Sequence, residues 1–185
     1  NFDFEKINFL FILKEKNFLF KNVNFSTDGM NFYSDLLKII KKKNKYEVEG
    51  EIENSKSILS KKIINLINFN FQNLDFKKTK FSSKNNFKFE IDNRFKFKNF
   101  KINSYINVNQ ISYKKETSLS NYFPDLKNIF YLNDNDLNLK YEKNILLVNG
   151  KGKIKNGNNS DQIRYFISKN NDDFEFETDL NIKET

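Results

Sequence analysis

Apolar and polar residues alternate with a period of two over almost the whole chain, and that alternation limits what the chain can fold into. It is plain in Phe87-Lys88-Phe89-Glu90-Ile91, in Tyr46-Glu47-Val48-Glu49 and in Phe174-Glu175-Phe176-Glu177. Successive side chains of a strand point to opposite faces, so each segment places its aromatic and aliphatic residues on one face and its charges on the other. Strands of this kind belong to an antiparallel sheet with one dry face and one wet face. Residues that favour turns separate them, at Lys84-Asn85-Asn86, Asn156-Gly157-Asn158-Asn159-Ser160 and Asn170-Asn171-Asp172-Asp173. The chain is therefore expected to be mainly β.

A finer pattern lies inside the alternation. Four segments read apolar-x-apolar-x-x-apolar-x-apolar: Phe2 to Phe9, Phe18 to Phe25, Phe69 to Phe76 and Phe95 to Ile102. In each, a two-residue gap breaks strict alternation by one residue. A one-residue slip would turn the second half of the strand over, unless a bulge or sharp bend at the gap restores the phase. With such a bulge, both halves keep their apolar side chains on one concave face. A bent strand in an ordinary sandwich is the plainer alternative. The copies are irregularly spaced, so the chain is no strict solenoid.

Three stretches carry helical spacing. Ser34 stands where a cap would precede Leu36, Leu37, Ile39 and Ile40, with Lys41, Lys42 and Lys43 at the C-terminal end. Ser57 precedes Leu59, Ile63, Leu66 and Ile67 in the same way, and Pro124 opens a short turn with Leu126, Ile129 and Phe130. Two or three short helices are thus expected beside the sheet. No linker rich in Pro, Gly or Ser divides the chain, so residues 1–185 count as a single domain. The chain begins with Asn1 rather than Met, and it reads as a segment of a longer protein.

Composition removes several function classes. The 185 residues include 22 Phe and 8 Tyr but no Cys, no Trp and no His. Without imidazole or thiol there is no Ser-His-Asp triad, no cysteine nucleophile, no disulfide and no standard zinc site. The formal charge of +8 comes from 32 basic against 24 acidic side chains, but only Arg94 and Arg164 are arginines. Arginine is the residue suited to bidentate phosphate and guanine contacts. A chain rich in Phe, Asn, Lys and Ile gathers lysine on any solvated face, and the Lys41 to Lys43 run reads as such a face. Phe and Lys alternate, so aromatics and cations fall on opposite faces; a base-stacking sheet needs them together. No nucleic-acid partner is expected.

The short motifs fail as chemical sites. Gly150-Lys151-Gly152 lies between strand-like stretches and opens no helix, so it lacks the context of a phosphate loop. Close backbone approach within a strand accounts for both glycines. Asp134, Asp136 and Asn138 have the opening spacing of a calcium loop, but Leu139 stands at the glycine position and Ile145 at the bidentate glutamate position; an Asn/Asp-rich turn is the expectation there. Acidic residues alternate with lysines on the wet face, where a shifted pKa for glycoside hydrolysis is not expected. Ser-Lys pairs such as Ser55-Lys56 lack the supporting site of an acylating serine. The reading is no enzyme, no cofactor and no metal.

The Phe-x-Phe-x-x-apolar-x-Phe segments, together with Phe87 through Val108 and Leu137 through Ile182, resemble AsmA-like proteins. The closer likeness is to the AsmA-like C-terminal region of large envelope proteins of Gram-negative bacteria. The resemblance implies a curved antiparallel sheet forming an open, U-shaped hydrophobic groove in the periplasm. It also implies an inner-membrane anchor outside this chain, and a part in moving phospholipid toward the outer membrane during envelope biogenesis. The partners it implies are phospholipid acyl chains and, through parts outside this segment, the two membranes. The groove residues expected on the bent strands are Phe18, Phe20, Phe69, Phe71, Phe87, Phe89, Phe95 and Phe97. Two rivals remain: a structural or adhesive β-domain whose Phe face is closed as a core, and a transmembrane barrel with its apolar face outward.

Overall fold

Every described strand of the chain joins one sheet. The computed structural model describes residues 3–59, 73–76, 79–115, 127–171 and 173–181. Its strands are β1 (Phe4–Lys14), β2 (Asn17–Thr27), β3 (Met30–Lys41), β4 (Lys45–Ile58), β5 (Leu74–Asp75), β6 (Lys80–Asp92), β7 (Phe97–Lys114), β8 (Ile129–Glu142), β9 (Ile145–Asn156), β10 (Asn159–Asn170) and β11 (Asp173–Asn181). They lie in the order β1-β2-β3-β4-β6-β7-β8-β9-β10-β11, all antiparallel, and β1 and β11 are free edges among the described residues. The short β5 pairs with Tyr113 and Ser112 on the side of β7 that β6 occupies, so it prolongs the β6 row. Thr79 fastens this junction, its hydroxyl donating to the Gln110 carbonyl at 2.8 Å.

The turns reflect local chemistry. Gly157 and Asn158 join β9 to β10, and Asn171, in the left-handed region at φ 51°, joins β10 to β11. Both are turns that the sequence pattern anticipates. Lys84-Asn85-Asn86 is not one: it runs through the middle of β6, paired with Glu53, Ile52 and Glu51 of β4. Two adjacent asparagines suggest a turn, but Asn85 instead donates to the Ile52 carbonyl and to the Ser83 hydroxyl. Asp134, Asp136 and Asn138 likewise form no turn and sit within β8.

The described residues contain no helix. The stretch from Ser34 to Lys41 is part of β3, where Leu37 and Ile39 stand on one face and Leu36 and Ile40 on the other. This end of β3 carries apolar residues on both faces, so Leu36-Leu37 and Ile39-Ile40 stand side by side in sequence and imitate helical spacing. Ser57 and Ile58 close β4, while Ile63, Leu66 and Ile67 lie outside the described residues. Pro124 and Leu126 also lie outside them, and Ile129 and Phe130 open β8.

The slips are present in the backbone. Ten non-glycine residues among those described have a left-handed φ; Glu15, Asp28, Phe95, Lys143, Asn144 and Asn171 sit in turns. The other four, Lys6, Asn22, Asn99 and Asp134, lie inside strands at φ 50–53°. Lys6, Asn22 and Asn99 are each the second residue of a two-residue gap in a repeated segment, and each coincides with a break in the register of pairing. The phase is restored as a bulge would restore it. In β2, Phe18 and Phe20 before the gap and Val23 and Phe25 after it oppose Ile39, Leu37, Ser34 and Phe32 of β3 on one face. The segment from Phe69 lies mostly outside the described residues.

Candidate functional site: the apolar face of the sheet

Moving between directly opposed residues from strand to strand gives one continuous row through all ten strands of the main path. It reads Phe11, Phe20, Leu37, Gly50, Phe87, Ile102, Tyr141, Leu146, Lys169 and Phe174. Until Lys169, near the β10–β11 turn, every member is apolar, aromatic or glycine. The neighbouring row, one residue along on the opposite face, is Lys38, Glu49, Lys88, Lys101 and Glu142. From β3 to β8 the two faces of the sheet thus separate grease from charge, because each strand alternates and each slip is corrected.

Most of the buried apolar side chains stand on the first face. Val23, Met30, Val48, Val108 and Ile163 are buried, on β2, β3, β4, β7 and β10. Aromatic rings gather there in two clusters. On β1 to β3, Phe20 lies 5.3 Å from both Phe9 and Phe11, and Phe25 stacks on Phe32 at 5.0 Å. On β6 to β8, Phe89 meets Phe97 at 5.2 Å and Phe100 at 6.3 Å, and Phe100 reaches Tyr141 at 5.9 Å. Such pairs add about 0.5–1.5 kcal/mol beyond the area they bury. Toward the edges and strand ends the same face is open: Phe97 is 71% exposed, and Phe4, Leu13, Phe174 and Phe176 are also exposed.

Of the eight expected groove residues, Phe18, Phe20, Phe87, Phe89 and Phe97 lie on this face. Phe95 does not belong to a strand; it occupies the β6–β7 turn with a left-handed backbone and is 82% exposed. Its place in the repeat suggested a strand, but Asp92 ends β6 by accepting from the Arg94 and Lys96 amides and so closes a turn there. Phe69 and Phe71 lie outside the described residues.

Several members of the face were hidden by their polarity. Phe130, Leu132, Asn135, Leu137 and Leu139 repeat the slipped pattern in β8, with Asp134 as the left-handed gap residue. Asn135 takes an apolar position there, is 1% exposed, and its amide finds no hydrogen-bond partner among the described residues. The glycines beside it are a packing requirement. A Cβ on Gly152 would stand 2.4 Å from the Asn135 Oδ1, and one on Gly150 would stand 2.2 Å from the Tyr165 ring. Covered in this way, the Tyr165 hydroxyl is pushed up to about 12 by burial. At the centre of the face, Ser83 donates to Asn54 at 2.5 Å and accepts from Asn85 at 2.7 Å. Those polar groups are satisfied within the sheet.

The opposite face is a lattice of ion pairs between neighbouring strands. Glu49 lies 3.1 Å from Lys88 and 3.6 Å from Lys38, and Lys84 bridges Glu51 and Glu53 at 2.7 and 2.8 Å. The Lys88 ammonium holds the Glu49 carboxyl below its usual range. Hydrogen bonds from Lys98 and from the Lys96 and Arg94 amides bring Asp92 down to about 2. Such exposed pairs contribute little each, with a median near 0–1 kcal/mol. What they set is orientation: opposed charges keep this face toward water. Among the described residues no group of three or more acidic side chains is arranged to hold a metal ion.

Comparison with family models, with curated proteins and with solved structures returned no match.

Proposed function

We propose that the apolar face is the floor and walls of an open, curved groove that shelters phospholipid acyl chains, as in the AsmA-like proteins the sequence resembles. One observation carries the reading: a single apolar face is kept in phase through ten hydrogen-bonded strands, and no second layer lies over it among the described residues. Four left-handed residues within strands support curvature, because a bulge bends its strand and increases the local twist. The edge strands β1 and β11 expose Phe9, Phe11, Phe174 and Phe176, which fits a face left open at its rims.

The dimensions suit such a cargo. Ten strands at about 4.8 Å spacing give a path of about 43 Å across the sheet. An acyl chain occupies half of a hydrocarbon core about 30 Å thick, roughly 15 Å. Each methylene taken out of water contributes about 0.8 kcal/mol, so partial cover of two chains holds a lipid while leaving it free to slide. Movement along such a face needs no catalytic group, cofactor or metal. The periplasmic setting and the two membranes as partners belong to the same proposal. A closed structural core is the other reading, and the exposed Phe97 and Phe100 favour the groove over it.

The test is native mass spectrometry of protein purified without detergent, with identification of co-purified lipid. The groove reading expects bound phospholipid in the parent protein, its loss in Phe89→Asp and in Phe97→Asp, and its retention in Asn103→Asp on the charged face. Phe97 is already largely exposed, so its substitution leaves the fold in place. A folded, lipid-free parent protein would overturn the proposal, as would lipid retained by both Phe variants.

A further inference from the structure

One corner of the sheet departs from the separation of faces. At the ends of β1, β2 and β3 the charged side of the sheet carries Leu10, Ile12, Leu19, Leu36 and Ile40. Leu10 and Leu36 are exposed. Behind them, on the apolar face, stand Phe11, Leu13, Phe18 and Ile39, so aliphatic side chains stand on both sides of this corner, with Lys21 between Leu10 and Leu36 and Lys38 opposite Leu19 on the outer side. A strand apolar on both faces is ordinarily covered on both, and no described element covers the outer side here.

The adjoining hairpin tips are basic. The β1–β2 tip carries Lys14 and Lys16, the β3–β4 tip carries Lys41, Lys42 and Lys43, and all five are exposed. A hydrogen bond from the Lys41 amide to the Lys16 carbonyl at 2.9 Å holds the two tips side by side. None of the five makes an ion pair among the described residues, unlike Lys38, Lys84, Lys88 and Lys101 farther into the sheet. Glu15 is the single acid in these two tips.

The geometry points to this corner as a docking surface for an anionic lipid bilayer. The aliphatic side chains enter the region between headgroups and acyl chains, and the lysines meet the lipid phosphates around them. Buried apolar area combined with attraction to anionic lipid is what binds amphipathic surfaces to membranes. The unpaired state of these lysines matters, because a cation already held by a carboxylate has less to gain from a phosphate. The inference concerns the outer side of the sheet and stands independently of what the apolar face carries.

Flotation with vesicles tests it. The intact chain is expected to float with phosphatidylcholine vesicles containing phosphatidylglycerol, more weakly with pure phosphatidylcholine, and less as salt is raised. Each of Lys14, Lys16, Lys41, Lys42 and Lys43 changed to Gln should lower the partition coefficient about fivefold at low salt. Changing Lys56, Lys80, Lys114, Lys127 and Lys155 to Gln, away from the corner, should leave it nearly unchanged. Leu10→Ser with Ile12→Ser should weaken binding even at low salt, and Phe97→Asp, which addresses the groove, should not affect it. An equal loss in the two lysine sets would overturn the proposal by showing general attraction. So would indifference to phosphatidylglycerol, binding of duplex DNA as tight as that of vesicles, or occupation of the corner by a second copy in sedimentation equilibrium.

Discussion

Replacing Asn22 by valine separates a phase-correcting slip from an ordinary strand position. Asn22 is exposed, its φ is 51°, and it lies between Phe20 and Val23, which share a face three residues apart. Asparagine tolerates the left-handed region, whereas a residue with a crowded Cβ pays about 1–2 kcal/mol to stay there. For a chain of this size that amounts to about 2–8 °C in Tm. Lys21, the other gap residue, is also exposed and is not left-handed. Lys21→Val should therefore be neutral or mildly favourable, as β-branched residues suit strands. Asn22→Gly should be close to neutral. Lys6→Gly should stabilise by up to about 1 kcal/mol, because lysine at φ 52° is less tolerant than asparagine. Asn22→Val and Asn99→Val, on β2 and β7, should add. Thermal and urea unfolding monitored by circular dichroism reads all of these. Equal cost for valine at positions 21 and 22 would refute the slip and the single apolar face built on it.

Three further outcomes are expected from the site. Asn135→Leu keeps the shape of the side chain and removes a buried amide without partners among the described residues, so it should stabilise by about 1–3 kcal/mol in urea unfolding; a loss of stability would mean that the amide is satisfied. Glu49, Glu51, Glu90, Asp92, Asp136 and Glu142 are all held below their ordinary values by their partners. Their contribution is present above the unfolded values of 4.5 for Glu and 3.8 for Asp and is lost as pH falls through the folded ones, down to about 2 for Asp92. Tm should therefore fall progressively below about pH 4.5, less steeply in high salt, and a flat profile would count against the lattice. Tyr165 should stay protonated above pH 10 and ionise only near 12, so its stabilising effect is lost as pH rises through that value. Tyrosinate absorbance compared with Tyr165→Phe checks this.

The strands and their faces were legible because alternation is a local property. Phe18, Phe20, Val23 and Phe25 announce both a strand and a slip, and the backbone turns at Asn22 where the spacing requires it. The order of strands was not written in any segment; it arises from the pairing of whole strands with one another. The errors share a cause, which is that local pattern is read without knowledge of the partner strand. Leu36 to Ile40 looked helical because this corner carries apolar residues on both faces, so apolar residues run together. Lys84-Asn85-Asn86 looked like a turn because adjacent asparagines favour one, yet the β4 backbone accepts the Asn85 amide within a strand. Asn135 concealed the slip in β8 because a polar residue fills an apolar position. Phe95 matched the spacing of the repeat, but capping by Asp92 places it in a turn.

In the proposed groove, one side of the sheet meets acyl chains and the other meets water. The absence of cysteine from the chain allows single cysteines to be placed at successive positions of β7, labelled with a fluorophore and quenched by lipid brominated in its acyl chains. Strong quenching is expected at positions 102, 104, 106 and 108, weak quenching at 101, 103, 105 and 107, and a change of phase so that 111 is quenched and 110 is not. Quenching equal on the two sides of β7, or absent from both while the protein remains folded, would contradict the proposed groove.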